Sequence, residues 1–354
     1  MRSVQYSSAD HTVTHHHTSR IYSESPKSNP VRKQSRQSQD AQAFENTFEY
    51  FKHVGNLSNQ NPKRRSSKPI DCSESLVELE EVLFSYSVSE DTNKSGLARS
   101  KKMTIDGKRS SEMEDTHYCS FPFTSQNLAL FCVFDGHAGK DCASELITLF
   151  PKIFKKHWKK SKDKAQTDFT NLWIEVYKEV DGLLAQFEDL GSTATTLLIW
   201  RTPDGKRYIQ CANVGDSTAF LVRENKVIPM SQDHKLSVKS ERHRITNSGI
   251  HLEEKQTRLN GIAITRAFGD HFAKNHNCGL ISEPFVSPAM EITPKDTRVI
   301  LASDGLWDVV KGQRACDITK GIKESGDAAK KLLQTAVKSN HCTDNVTVIV
   351  VNLR

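Results

Sequence analysis

An apolar run that ends in a carboxylate is the feature that most constrains how this chain can fold. Seven apolar residues, 128–134, lead directly into Asp135, Gly136 and His137. A short apolar run closed by a turn signal predicts a buried strand. A carboxylate at the end of such a strand has the rigid support that a metal ligand needs, and His137 can carry a proton near neutral pH. Taken alone, however, the segment is explained better by an ordinary Asp-Gly turn.

The same pattern occurs at two further places. Apolar residues lead into Asp304 in one of them, and Asp344 opens the apolar run 346–351 in the other. If this last strand pairs antiparallel with the others, Asp135, Asp304 and Asp344 fall at one edge of one sheet. Converging carboxylates repel each other and need cations to stay ionised. Because oxygen ligands select hard ions, the pattern predicts a site for Mg²⁺ or Mn²⁺.

Eight short motifs follow one another between residues 84 and 354. They are GKRSSEMED (107–115), VFDGHAG (133–139), GSTA (191–194), NVGDS (213–217), QDHK (232–235), GIAITRAFGD (261–270), ASDGLWD (302–308) and TDNVT (343–347). Together they resemble the metal-dependent serine/threonine protein phosphatases, the PP2C or PPM family, in which these motifs have the same order. One such motif would be weak evidence, whereas eight in order strongly indicate a shared fold.

The resemblance implies an α+β fold over residues 80–354, in which two antiparallel β-sheets pack face to face with helices on the outside. It also implies two Mg²⁺ or Mn²⁺ ions at one edge of this sandwich. The implied ligands are Asp135 bridging both ions, Asp304 and Asp344 on one ion with Asp270 close by, and Glu114 and the Gly136 carbonyl on the other with Asp115 nearby. Asp216 matches a weaker third-metal position, with a plain turn residue as an equal alternative.

The resemblance further implies that water activated by the two metals attacks the phosphorus of phosphoserine or phosphothreonine. His137 would protonate the leaving alkoxide, and Arg109 would hold the substrate phosphate. Arg109 lies six residues before Asp115, however, where the family usually has five. We expect a β-bulge over 110–112 to absorb the extra residue. If it does not, Lys108 or Arg266 is the next candidate for the phosphate contact.

Two other functions remain open at this point. The chain could be a pseudophosphatase that binds phosphoproteins without turnover, although the complete set of carboxylates argues against this. It could also be an adaptor that acts through its N-terminal tail, with the phosphatase domain as a regulator. Residues 1–75 are polar and cannot bury enough surface to fold alone. Phenylalanines at helical spacing allow a short helix over 42–54, with local residual structure slightly favoured.

Composition limits the compartment and the partners. The chain has 354 residues and a net charge of +6, with no run of 18 apolar residues and no secretory signal. Its eight cysteines lack a Cys-x-x-Cys pair, so we expect reduced thiols in a cytoplasmic or nuclear protein. We expect a monomer that acts on phosphorylated proteins and has neither nucleic acid nor membrane as a partner.

Hydrophobic periodicity predicts the remaining elements. An antiparallel meander is expected over 192–229, with turns at 202–206 and at Glu224 and Asn225. A helical region over 139–160 is expected to break near Pro151. A second helix over 168–190 would bury an apolar stripe that includes Leu183. Further helices are predicted over 238–249, 313–322 and 327–338.

Overall fold

A computed structural model describes residues 84–98, 112–161 and 168–353. Several predictions lie outside these residues: the polar tail 1–75, the helix over 42–54, and Arg109 with most of the bulge expected beside it. These, and the boundary drawn at residue 80, stay predictions.

Two antiparallel sheets form the centre of the molecule, as predicted. The first contains β1 (Ser85–Asp91), β7 (Thr218–Arg223), β8 (Lys226–Pro229), β12 (Asp296–Ala302) and β13 (Val346–Asn352), in the spatial order β1-β13-β12-β7-β8. The second contains β2 (Asp115–Ser120), β3 (Leu128–His137), β4 (Gly191–Ser192), β5 (Ala194–Arg201), β6 (Arg207–Val214), β9 (Phe268–Gly269), β10 (Phe285–Val286) and β11 (Met290–Glu291). Its order is β10-β6-β5-β3-β4-β9, with β2 paired to β3 and β11 to β6.

Strand β3 shows why the apolar run at its centre is continuous rather than alternating. Phe131 and Val133 pack in the core between the two sheets, together with Leu301 of β12. Cys132 and Phe134 point the opposite way, into a core shared with the covering helices. Because successive side chains of a strand face opposite sides, a strand covered on both faces needs apolar residues at every position. The α+β sandwich is therefore confirmed.

The structure describes eight helices. They are α1 (Lys94–Leu97), α2 (Asp141–Lys160), α3 (Thr170–Gly182), α4 (Lys239–Asn247), α5 (His271–Asn275), α6 (Asp304–Trp307), α7 (Gly312–Thr319) and α8 (Ser325–Val337). The core under α2 and α3 belongs to the eight-stranded sheet, and the core under α6, α7 and α8 to the five-stranded sheet. Of the described helices, none is both long and apolar enough to cross a bilayer.

Two details of the helix predictions are wrong. Helix α2 continues through Pro151 without a break. A proline inside a helix costs about 3 kcal/mol, because one backbone hydrogen bond is lost and the ring crowds the carbonyl four residues earlier. Each fully buried neighbour such as Phe150 or Phe154 contributes roughly 1.5–3 kcal/mol, so packing prevails. Helix α3 ends at Gly182, and Leu183 beyond it is 50% exposed rather than buried.

Local turns and cysteines behave as the sequence predicted. Glu224 and Asn225 have φ values of 53° and 61°, which the two-residue turn between β7 and β8 requires. Gly205, with φ of 85°, closes the turn between β5 and β6. The seven cysteines in the described ranges are all free. Burial raises the pKa of the Cys142 thiol to about 12, so this thiol is protonated at neutral pH.

Replacing Trp173 should test the core beneath α2 and α3. The indole is fully buried, with its ring centroid 4.9 Å from that of Phe154 and 6.4 Å from that of Tyr177. We expect Trp173→Ala to lower the free energy of unfolding by about 3–5 kcal/mol in urea titrations, because it leaves a large cavity. Leu183→Ala, ten residues further along, should change it by no more than about 0.5 kcal/mol. Equal effects would contradict the packing described.

Candidate active site

One large cavity, of about 890 Å³, lies where strands of both sheets end. Asp135 lies near the end of β3. Asp304 follows the end of β12, with Ser303 between them, and Asp344 precedes β13. All three line the cavity. The prediction that they share one sheet is wrong, because β3 belongs to the eight-stranded sheet and the other two strands to the five-stranded sheet. The packing of the two sheets brings the carboxylates together.

The wall of this cavity, hereafter the acidic cavity, is dominated by carboxylates. His137 and Arg258 are its only basic residues in the part of the chain that the structure describes. The carboxylates on the wall are Asp135, Asp216, Asp270, Asp304, Asp308 and Asp344, together with Glu188 and Asp189. The structure therefore gathers His137 and five of the predicted aspartates. Asp308 is an addition, signalled by its place four residues after Asp304 in the motif ASDGLWD.

Glu114, Asp115 and Gly136 lie beside Asp135 but do not line the acidic cavity. Asp115 stands directly opposite Asp135 in the ladder between β2 and β3. The backbone N–H of Gly136 donates to the Glu114 carbonyl over 3.1 Å. A Cβ at position 136 would lie 2.7 Å from that carbonyl oxygen, so this close approach requires glycine. The three residues therefore form the support of Asp135.

Two hydrogen bonds connect this support to the other sheet. The Ser303 hydroxyl donates to Asp115 Oδ2 over 2.7 Å, and the Glu114 backbone N–H donates to Asn345 Oδ1 over 2.8 Å. Ser303 precedes Asp304, and Asn345 follows Asp344. The chain neighbours of these two carboxylates therefore bond the residues that support Asp135 on the other sheet. Sequence reasoning missed Ser303 and Asn345, although both lie inside quoted motifs.

His137 and Asp270 form a hydrogen-bonded pair. Nε2 of His137 lies 2.8 Å from Oδ2 of Asp270, whose side chain is 3% exposed. A carboxylate at this distance orients the imidazole ring. Gly191 leaves the room for this contact, because a Cβ there would lie 2.1 Å from Oδ2 of Asp270 and 2.5 Å from Nε2 of His137. The sequence placed Asp270 near the metals and did not predict this pairing.

Asp216 pairs with a lysine that the sequence left without a role. Nζ of Lys235 lies 2.8 Å from Asp216 Oδ2. Burial alone would lower the pKa of Lys235, but the carboxylates of Asp216, Asp304 and Asp308 outweigh it and raise the pKa. Burial raises the pKa of Asp308, with Lys235 opposing and Asp216 adding to the rise. Lys235 thus neutralises part of the charge in this corner of the cavity.

His234 positions Lys235 from the buried side. Its Nδ1 accepts a hydrogen bond from the backbone N–H of Gly215 over 3.1 Å. Burial and the nearby Arg266 lower the pKa of His234 to about 3, so the ring is neutral and can accept this bond. The contact joins the segment that carries Lys235 to the turn that carries Asp216.

Arg266 is held away from the cavity wall. Its Nη2 donates to Glu241 Oε1 over 2.6 Å and its Nη1 donates to the Glu283 carbonyl over 2.7 Å. Burial would raise the pKa of Glu241, but bonds from Arg266 and Arg244 lower it to about 2, so the carboxylate stays ionised. Arg258 instead is the arginine on the described wall. Arg266 was the reserve candidate for the phosphate contact, and no sequence signal separated it from Arg258.

The donor set fits hard divalent cations. In the described part of the chain, the wall presents carboxylate oxygens and no cysteine, which is the chemistry that Mg²⁺ and Mn²⁺ prefer. Within residues 84–98, 112–161 and 168–353, no three His, Cys, Asp or Glu side chains stand as a finished set around one ion. The class of ion therefore agrees with the wall, while the number of ions stays a prediction.

Comparison with known sequences identifies the family. The family model described as "Protein phosphatase 2C" matches residues 100–346. The chain belongs to the protein phosphatase 2C (PP2C) family. It is 44% identical over 280 residues to a probable protein phosphatase of Dictyostelium discoideum, covering 77% of this chain and 27% of that relative. It is 35% identical over 260 residues to protein phosphatase 2C homolog 1 of Saccharomyces cerevisiae, covering 68% of this chain and 88% of the yeast protein.

This Dictyostelium relative and a second one from the same organism are much longer than the matched region. The chain spans only 27% and 30% of their lengths. Among solved structures, serine-threonine phosphatase 2C from Toxoplasma gondii superposes with a TM-score of 0.62 at 20% identity, covering 77% of this chain and 95% of that one. A Caenorhabditis elegans sex determining protein gives a TM-score of 0.62 at 18% identity, with 93% and 76% covered. At these identities the structures support the PP2C fold alone.

A single methyl group at position 191 should break the pair between His137 and Asp270. We expect Gly191→Ala to reduce phosphopeptide turnover at least about tenfold, because the new Cβ occupies the space of both side chains. Gly182→Ala is the matched control, since a Cβ at the end of α3 meets nothing within 4 Å. Full activity of Gly191→Ala would show that the pair is dispensable for turnover.

Proposed function

We propose that this PP2C chain is a metal-dependent protein phosphatase that hydrolyses phosphoserine and phosphothreonine in proteins. The observation that carries the proposal is the acidic cavity, whose described wall combines seven aspartates, the His137–Asp270 pair and Arg258. Membership of the PP2C family and the names of its relatives support the same activity.

The oxygen ligands suit two Mg²⁺ or Mn²⁺ ions. Asp135, Asp304 and Asp344 would hold them, with Asp270 nearby and with Glu114, Asp115 and the Gly136 carbonyl at the second ion. Asp216 and Asp308 would take a weaker third ion in competition with Lys235. When bound, the ions lower the pKa of water and offset the charge of the phosphoryl oxygens.

His137 and Arg258 would supply a proton donor and a positive charge, which the carboxylates lack. The protonated imidazole would give its proton to the serine or threonine oxygen as the bond to phosphorus breaks, while Asp270 holds the ring in place. Arg258 would contact the phosphate oxygens, because its positive charge attracts the phosphate that the carboxylates of the wall repel. Arg109 remains a second candidate for this contact, and the two can act together.

A phosphoprotein-binding pseudophosphatase is the alternative, and the wall argues against it. Clustered carboxylates repel each other and the substrate phosphate unless cations join them. A binding module without turnover gains nothing from such a wall. We further propose a monomer in the cytoplasm or nucleus, in keeping with buried thiols such as Cys142.

Phosphopeptide turnover with and without metal tests the proposed function. We expect hydrolysis with Mn²⁺ or Mg²⁺, loss of activity in EDTA, and recovery when Mn²⁺ is restored. Asp304→Asn should abolish turnover while the metal-free protein melts no lower than the unchanged chain, because removing one of several like charges relieves repulsion. Full activity after exhaustive EDTA treatment would overturn the proposal. A sharply lower melting temperature of metal-free Asp304→Asn would contradict the repulsion argument.

Arg258→Ala tests the phosphate contact on the described wall. Because an arginine binds phosphate in both ground and transition states, we expect KM for phosphopeptide to rise about threefold to tenfold with a smaller change in kcat. This corresponds to roughly 0.7–1.4 kcal/mol of lost binding. Arg201→Ala, at the far end of β5 and off the cavity wall, is the control for a lost surface charge. Unchanged KM in Arg258→Ala would leave the contact to Arg109.

A further inference from the structure

A second cavity, of about 440 Å³, lies on the outer face of the five-stranded sheet. Its floor is a cross-strand row in which Val222, Arg298 and Asn352 stand opposite one another. Cys316 of α7 and the segment 319–323 between α7 and α8 complete the wall. Arg298 lies near the beginning of β12 and Asp304 follows its end, and the two cavities share no lining residue in the described chain.

Arg298 is a buried cation whose neighbours are carbonyls. The residue is 9% exposed, and its Nη1 and Nη2 donate to the carbonyls of Thr319 and Ile322. Nowhere in the described ranges does it form an ion pair with a carboxylate. A guanidinium has five N–H donors, so these two bonds leave others available. Because a buried charge is costly unless it is paired, an anion in the cavity would stabilise it.

Asn352 offers an acceptor that nothing in the described chain satisfies. The residue is 8% exposed, and its Nδ2 donates to the Lys323 carbonyl over 2.7 Å. Its Oδ1 is buried and has no hydrogen-bond partner. Leaving a buried acceptor unsatisfied is unfavourable. A ligand that fits this cavity should therefore carry an O–H or N–H donor as well as negative charge.

The rim of the cavity carries positive charge, as its floor does through Arg298. Lys320 and Lys323 are exposed on the wall, and no aspartate or glutamate lines it in the described part of the chain. Asp317 and Glu324 lie on the neighbouring turns but not on the wall. The charge of this surface, hereafter the basic cavity, is thus opposite to that of the acidic cavity.

We propose that the basic cavity binds a small phosphorylated compound that bears free hydroxyl groups. Its phosphate would accept from Arg298 and approach Lys320 and Lys323, while a hydroxyl would donate to Asn352 Oδ1. The volume lies within the range of small-molecule sites and leaves room for more than a phosphate ion. This site is independent of the proposed phosphatase reaction.

Binding measured in EDTA separates the two cavities. Without metal, the carboxylates of the acidic cavity repel phosphates, so binding to the full chain reports on the basic cavity. The probe is glucose 6-phosphate, followed by isothermal titration calorimetry at low salt, with glucose and inorganic phosphate for comparison. We expect binding of glucose 6-phosphate, none of glucose, and inorganic phosphate weaker by about threefold or more, which is roughly 0.65 kcal/mol of hydroxyl contact. Equal affinity for inorganic phosphate, or no binding at all, would overturn the proposal.

Charge-matched variants locate the binding. Lys320→Gln with Lys323→Gln should weaken glucose 6-phosphate binding about tenfold, and Arg298→Met should abolish it. Lys330→Gln with Lys331→Gln removes the same charge from exposed positions of α8 off the wall and should leave the affinity unchanged. If Arg298→Met does not fold, the two lysine pairs still decide. Equal weakening by both pairs would show an effect of net charge and overturn the site.

Discussion

Mutual repulsion among clustered carboxylates is the constraint on which the rest of this structure depends. Seven aspartates in the described part of the chain line one cavity where two β-sheets meet, and charges of one sign hold together only on a rigid support. The support is the sandwich itself, with a continuous apolar core between the sheets. Direct bonds from Ser303 to Asp115 and from Glu114 to Asn345 join the sheets next to the carboxylates. The same bonds that resist separation of the charges also place them for cations.

Three cationic groups lie on or next to the wall of the acidic cavity. His137 pairs with Asp270, and Lys235, which is not on the described wall, pairs with Asp216. Arg258 lines the wall. Asp135, Asp304 and Asp344 are not engaged by these pairs and present the oxygen ligands that divalent cations prefer. In the proposed reaction, this charge pairing would separate proton transfer from metal binding inside one cavity.

Strand β12 has opposite charges at its two ends. Asp304 follows its last residues in the acidic cavity, whereas Arg298 lies near its beginning in the basic cavity. Between them the strand is buried, so each charge has its own surroundings. An anion that binds at one end and cations that bind at the other would not compete, because the two cavities share no lining residue among those that the structure describes.

The sequence by itself determined the strands, most helices and five of the aspartates that line the acidic cavity. Asp135, Asp304 and Asp344 could be selected because apolar periodicity and turn signals act over a few residues. Only the tertiary structure decided that Asp135 comes from the other sheet, that Asp216 pairs with Lys235, and that Arg258 rather than Arg266 lines the wall. It also decided that α2 continues through Pro151, since core packing outweighs one lost hydrogen bond. Ion pairs and packing join residues far apart in the chain, and short-range patterns carry no record of such distances.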